Sequence, residues 1–263
     1  MAINFTYPQG QRRAMTFSYD DGMTSDRRLV DIFNKYDVKG TFHLNSSLLG
    51  KAYSRIELDE LTTLFNGHEI ACHSSTHPFL ETLPREAVIS EILADRKTLE
   101  RSAGYPVVGL SYPYGTYSPS VKELIKALGI VYARTTQATM SFKVPDDFLA
   151  WHPTCHHKHD IMTKLESFVN AKHPLALFYI WGHSHEFDND NNWDIIEQFC
   201  EKAGADASIW HATNIEIFDY LHALKLVRLS VDGDRIRNLS ALSVWIDHNG
   251  KSVELPPGET INL

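Results

Sequence analysis

Apolar, β-prone runs alternate with runs of helical period along most of this chain. AMTFSYD (14–20), KGTFHLN (39–45), HEIACHS (68–74), VVGLSYP (107–113), IVYARTT (130–136), DFLAWHP (147–153), LALFYIW (175–181) and SIWHATN (208–214) read as strands. SDRRLVDIFNKYD (25–37), LPREAVISEILADRKTLERSAG (83–104), SPSVKELIKALG (118–129) and NWDIIEQFCEKAG (192–204) read as helices. Asp26 and Ser118 suit helix starts, and Gly104, Gly129 and Gly204 suit helix ends. Such alternation predicts parallel strands joined by right-handed crossovers. The expected fold class is α/β, a distorted (β/α) barrel over residues 1–224, with an open doubly wound sheet as the alternative. Residues 225–263 change texture: strand alternation with Asp232-Gly233 and Asn249-Gly250 predicts hairpins and no helix. They are expected to form a small C-terminal β extension packed on the barrel.

Composition narrows the classes. With 263 residues, 43% apolar and 22% charged, the chain suits one large globular domain or two small ones. A formal net charge of −8 argues against a nucleic-acid partner, which requires a basic face. Three cysteines, Cys72, Cys155 and Cys200, do not make a disulfide framework; Cys72 and Cys200 read as core. The first residues lack the apolar core of a signal peptide, and no run approaches a membrane span. The expectation is a cytoplasmic chain with no membrane partner.

In a barrel the chemistry gathers at the carboxyl ends of the strands. The first strand ends in Asp20 and Asp21. The third runs into CHSSTH, where His73 and His77 stand four apart and would share a face on a helical turn. The fourth ends in SYPYG (111–115) and the seventh in WGHSHEF (181–187). A carboxylate and two imidazoles are a ligand set for a catalytic divalent metal with open positions, zinc or another first-row ion. One acid would bind the ion and the other would serve as base toward water. Taken singly, the acids also read as a turn or cap, and the histidines as surface or strand-end residues. Their coincidence at one barrel face favours the metal site.

These motifs carry a resemblance. TFSYDDG resembles the first motif of the polysaccharide deacetylase (NodB homology) family, HSSTH the second, PYG the end of the third, and the apolar strand running into His183 the fifth. The resemblance spans residues 12–220. It implies a distorted (β/α) barrel holding one divalent ion, usually Zn2+ and sometimes Co2+ or Ni2+. It further implies Asp21, His73 and His77 as metal ligands, Asp20 as base, the backbone N–H of Tyr114 as oxyanion donor, and His183 as the acid that protonates the leaving amine. The implied activity is hydrolytic removal of N-acetyl, or less often O-acetyl, groups from a carbohydrate.

The sequence departs from the family pattern at Ser111, where an Arg is expected. Arg134, at the end of the next predicted strand, is the candidate replacement; a surface ion pair is its other reading. Asp147 and Trp151 loosely match the fourth motif, with Trp151 as pocket wall or as core. Trp181 is a second aromatic candidate for the substrate groove. His185 rivals His183, and Glu186 can hold the tautomer of His183. WHPTCHHKH, with His152, Cys155, His156, His157 and His159, lines a groove, binds a second ion, or binds nothing. Two other functions stay open. One is a hydrolase of a small non-sugar amide, such as a cyclic imide or an allantoin-like compound. The other is a non-catalytic sugar-binding module. The β extension covers a barrel edge, extends a groove, or makes a homo-oligomer contact.

Overall fold

The computed structural model describes residues 3–51 and 54–263, and its centre is a curled parallel sheet. In chain order the main elements are β1 (Ile3–Thr6), β2 (Arg13–Asp20), α1 (Asp26–Lys35), β3 (Gly40–Leu44), α2 (Leu61–Leu64), β4 (Glu69–Cys72), α3 (Arg85–Ala103), β5 (Gly109–Ser111), α4 (Pro119–Ala127), β6 (Tyr132–Arg134), β7 (Cys155–His156), α5 (Ile161–Val169), β8 (Ala176–Gly182), α6 (His185–Asn189), α7 (Trp193–Gly204), β9 (Ile209–His211) and α8 (Asn214–Leu224). The sheet runs β6-β5-β4-β3-β2-β8-β7, with β9 paired to the start of β2.

Residues 151–156 complete the ring. Trp151 bridges Arg134 in parallel, its N–H donating to Ala133 O at 2.9 Å, while Thr154 N–H donates to Tyr179 O at 2.9 Å. The predicted strand 147–153 is otherwise absent. Asp147 accepts the N–H of Leu149 at 2.8 Å, which folds Phe148–Ala150 into a 3-10 turn, and Pro153 has no N–H to donate. The actual strand, β7, is two residues long and starts later.

The period-2 pattern of the strands separates two environments. On β2, Met15, Phe17 and Tyr19 join the large core under the surrounding helices, while Thr16, Ser18 and Asp20 are buried on the other face. There they meet a connected polar interior. Tyr132 donates its hydroxyl to Glu69 at 2.7 Å, Thr41 donates to Glu69 at 2.9 Å, and Tyr179 donates to Ser18 at 3.1 Å. The start of α8 plugs the bottom, with Ile215 N–H on Glu69 at 2.9 Å and Asn214 N–H on Thr41 at 2.8 Å. Buried polar groups need such partners, so this interior specifies strand register as well as filling space.

Helix ends follow the sequence in part. Ser118 caps α4 by accepting the N–H of Val121, and Gly104 ends α3 at φ +75°. Asp26 is not a cap: it is buried inside the first turn of α1 and accepts the hydroxyl of Ser184. Gly204 is the last residue of α7, where a Cβ would lie 2.1 Å from Tyr36 O, so it permits close packing of α7 on the end of α1. Helices α2, α5, α6 and α8 lie outside the four runs named as examples of the helices between strands.

Beyond α8 the chain forms β10 (Val227–Leu229), β11 (Arg235–Asn238), β12 (Val244–His248), β13 (Lys251–Leu255) and β14 (Thr260–Asn262). Asn249 and Gly250 join β12 to β13 with φ +54° and +80°, the left-handed pair that a tight hairpin requires. The extension is not purely C-terminal, because β1 pairs with β12. A second core, including Tyr7, Trp151, Tyr179, Tyr220, Val244 and Ile246, lies under this sheet. Among the described residues, all three cysteines are free and buried, and no helix is long and apolar enough to cross a membrane.

Candidate active site

Asp20, His73, Ser111, Arg134 and His183 all stand at carboxyl ends of sheet strands or one residue beyond, on the face where barrel sites form. Asp21 follows β2 at φ +83°, and Ser74, His77 and Tyr114 have φ of +62°, +63° and +60°. Four non-glycine residues in a sparsely populated region at one site are a concentration of backbone strain, which is common where function fixes geometry. His73 and His77 do not share a helical turn, as their spacing suggested. They converge through an irregular loop in which His77 N–H donates to Ser74 Oγ at 3.1 Å. The ring centroids are 4.7 Å apart.

The ligand atoms of Asp21, His73 and His77 lie within 4.8 Å of one another. Nε2 of His73 and Nε2 of His77 stand 3.8 Å and 3.9 Å from Oδ1 of Asp21. A tetrahedral zinc with donors at about 2.0–2.1 Å has edges of about 3.4 Å, so these residues fit such an ion with slight contraction. The tautomer agrees. Nδ1 of His73 lies 2.8 Å from the carbonyl of Ser111, which only accepts, so Nδ1 carries the proton and Nε2 offers a lone pair. Burial pushes the His73 ring down to about 4, the nearby carboxylates offsetting only part of this, so the ring is neutral at pH 7 and fit to ligate.

Asp20 is enclosed differently. Arg134, fully buried, donates from Nη2 to Oδ2, and Ser111 Oγ donates to Oδ1 at 3.1 Å. Ser111 Oγ also lies 2.6 Å from Nδ1 of His73. Ser111, at the place where an Arg was expected, therefore links the base candidate to a candidate ligand histidine, while the guanidinium arrives from β6. Its other face lies on Trp181, with Cζ 4.4 Å from the ring centroid. Burial would raise the Asp20 carboxyl, but Arg134 foremost, then His73, holds it far below the usual carboxylate range.

His183 is part-exposed and its Nδ1 lies 3.4 Å from Oε2 of Glu186, whose Oε2 also accepts the backbone N–H of His183 at 3.1 Å. Burial opposes charging of the ring, yet the Glu186 bond and the charges of Asp20 and Asp21 outweigh it and raise the pKa. His185 is 5.5 Å away, its Nδ1 is buried without a partner, and burial and His183 lower its pKa. The two histidines are thus distinct, and the one with a carboxylate partner is His183.

Trp151 is 1% exposed and packs among Tyr132, Phe148 and Tyr179, so its ring fills the core and its backbone closes the barrel. Trp181 is buried between Arg134 and His156. The Tyr114 ring is half exposed, stacks on Phe79 at 3.8 Å and meets the edge of His77 at 4.5 Å.

Sequence reasoning missed three residues. His43 is fully buried with Nδ1 3.7 Å from Oδ1 of Asp20, and neither ring nitrogen has a hydrogen-bond partner. It sits in KGTFHLN in register with Asp20, a polar residue on an inward position of a strand. Asp95, in the middle of α3, accepts the N–H of His73 at 3.0 Å and of Ser46 at 2.8 Å, fixing the ligand loop. Arg55 bonds the carbonyl of Asp21 and lies 3.7 Å from its Oδ1. Nothing in the local sequence marks Arg55.

Residues 8–133 match the family model described as polysaccharide deacetylase. Over 137 residues the chain is 29% identical to chitin deacetylase 1 of Cryptococcus neoformans, covering 51% of this chain and 28% of that protein. Over 119 residues it is 32% identical to a peptidoglycan-N-acetylglucosamine deacetylase of Listeria monocytogenes, covering 44% of this chain and 24% of that one. In fold it is similar to a Mycobacterium smegmatis protein assigned as a polysaccharide deacetylase, with a TM-score of 0.65 at 16% identity, over 85% of this chain and 95% of the other. TFSYDDG, HSSTH and PYG all fall within the matched stretch, and their residues meet at one face of the same barrel. Over residues 8–133, just under half of its length, the chain is similar to the polysaccharide deacetylase family.

Proposed function

We propose that the chain is a metal-dependent hydrolase that removes acetyl groups, N-acetyl first among them, from an acetylated carbohydrate. The observation that carries this reading is the convergence of Asp21, His73 and His77 beside a second carboxylate, Asp20, that is kept anionic. An ion held by Asp21, His73 and His77 supplies Lewis-acid polarisation of the acetyl carbonyl and acidifies water. Asp20, fixed by Arg134 and Ser111, takes the proton of the attacking water. The backbone N–H of Tyr114, in the Pro113–Gly115 turn at φ +60°, serves in this reading as the oxyanion donor. His183 donates a proton to the leaving amine from the nitrogen not turned to Glu186. The two relatives named for chitin and peptidoglycan substrates support the sugar class.

The test is metal analysis of the wild type beside His77→Ala, with acetate release scored on a panel of N-acetylated saccharides and small cyclic amides. Stoichiometric metal lost in the variant, with acetate from a saccharide, is the expected result. Turnover of a cyclic amide alone moves the substrate to the non-sugar class. Bound metal without any turnover favours a sugar-binding module, and no metal in the wild type overturns the reading.

A further inference from the structure

The histidine-rich segment 152–159 has no part in the reaction so far. It is tied to the strand that delivers His183: Cys155 and His156 pair with Ile180 and Trp181, and His157 N–H donates to Trp181 O at 2.8 Å. Its side chains close on Glu186. Nε2 of His156 is 3.1 Å and Nε2 of His157 3.4 Å from Oε2, and Lys158 Nζ is 3.4 Å from Oε1. His157 is held in a stack between Tyr19 and Phe187, with centroids at 5.7 Å and 4.2 Å. A Cβ at residue 182 would lie 2.1 Å from its Nδ1, so only Gly182 leaves the ring its place.

The donor atoms of His156, His157 and Glu186 are spaced as in a metal site, but the protons are wrong for one. Nδ1 of His156 accepts the N–H of Lys158 at 3.1 Å, so its Nε2 bears hydrogen and donates to Glu186 instead of offering a lone pair. The Lys158 ammonium, paired with Asp190 at 2.8 Å, adds a positive charge 3.4 Å from Oε1 of Glu186. The cluster is a hydrogen-bonded clasp on one anion.

We propose that His156 and His157 are positioning residues for proton donation, locking Glu186 so that its Oε2 receives Nδ1–H of His183 and only Nε2 of His183 can pass a proton to the leaving group. This rests on the reading of His183 as the acid. Glu186 lies on the first turn of the five-residue α6 and is part-exposed. Without the clasp its side chain is free to turn to water, leaving His183 without a fixed acceptor. Removal of the clasp therefore lowers the His183 pKa and misorients the ring.

The experiment is an NMR titration of ring-labelled histidines in the zinc-loaded protein, with His183 assigned by loss of its signal in His183→Gln. Alongside it, kcat and KM are measured against pH. His156→Phe keeps the edge contact with Trp181 and removes the donor; His156→Gln returns an N–H near the same point. In His156→Phe the His183 pKa falls, the alkaline limb moves to lower pH, and kcat drops roughly tenfold with KM little changed, as expected for lost alignment. His156→Gln recovers most of this. His157→Phe, which keeps the stack, gives a smaller effect in the same direction and serves if His156→Phe does not fold. An unchanged titration and profile in folded variants overturns the proposal. So does a rise in the His183 pKa, which would make His156 a competitor for Glu186. So does loss of a second bound metal equivalent, which would make the cluster a cation site. A titration shift in a protein that releases no acetate from any substrate sinks the proposed activity and leaves the clasp standing.

Discussion

Arg134 and Asp20 come from strands with three others between them in the sheet, yet the guanidinium of one lies on the carboxylate of the other with both side chains out of solvent. This pair places a fixed positive charge beside the candidate base. Arg134→Ala leaves a buried carboxylate with only Ser111 and is expected to cost about 3–5 kcal/mol of stability, the usual penalty for an orphaned buried charge. Because Arg134 is the foremost influence holding the Asp20 pKa down, its loss raises that pKa. The acid limb of kcat/KM then moves to higher pH. Arg134→Ala with full turnover and an unmoved acid limb would sink the assignment.

The proposed metal and base roles fall on adjacent residues and can be tested apart. Asp20→Asn is expected to retain bound metal while turnover falls by about 10²–10⁴-fold, the range typical for loss of a general base. His77→Ala is expected to lose the metal. A readout free of turnover is available: a chelator lowers the melting temperature of the wild type, because the ion binds the folded state, and leaves that of His77→Ala unmoved. If Asp20→Asn loses metal while Asp21→Asn keeps it, the two acids have exchanged roles.

Ser111 tests whether the linkage of the base to His73 matters. In Ser111→Ala the backbone carbonyl still accepts Nδ1–H of His73, so the ring keeps its tautomer, while Asp20 loses a donor on Oδ1. The expectation is metal affinity weakened by about tenfold, at the low end for loss of an outer partner. Competition with a chromophoric chelator measures it, and an unchanged dissociation constant refutes it.

Glu69 predicts a pH dependence of stability. Burial, only partly offset by its bonds to Tyr132, Ile215 N–H and Thr41, raises this carboxyl from its ordinary 4.5 to about 7. The folded state therefore binds a proton that the unfolded state has released between those values. The stabilisation is complete below pH 4.5 and is lost as pH rises through about 7. The span corresponds to a loss on the order of 3 kcal/mol. Asp95 and Asp26, raised mainly by burial to about 7 and about 8, act in the same sense. Urea midpoints from pH 5 to 8 should fall less steeply for Glu69→Gln than for the wild type; equal slopes would exclude Glu69 as a source.

Seven of the eight expected strands and four of the helices were legible because each has an apolar face of clear period. Met15, Phe17 and Tyr19 mark β2, and the same alternation placed Asp20 on the inward side. Arg134 was legible as a charge at a strand end. His43 was not, because a single histidine within an apolar run carries no local sign of facing a barrel interior. The strand expected at 147–153 failed because the side chain of Asp147 competes for backbone N–H groups. The spacing of His73 and His77 correctly paired them but suggested the wrong backbone, since positive φ at Ser74 and His77 has no sequence mark of the kind a glycine gives. Glu186 was legible as a partner of His183 from its spacing. Its contacts with His156 and His157 depend on β7 pairing beside β8, which no local pattern announces.

The pairing of β1 with β12 has a consequence for how the molecule is made. Residue 3 lies against residue 248, so β1 has no partner strand until β12 has been made. Until then Tyr7, Trp151 and Tyr179 lack the roof that Val244 and Ile246 provide. Trp151 is also the link that joins β6 toward β8 and closes the ring. A nascent chain can form its βα units in order, but the wall beside Arg134 firms up only when the β12–β13 hairpin docks. Catalytic competence is then expected to arrive in one step with the seating of that hairpin.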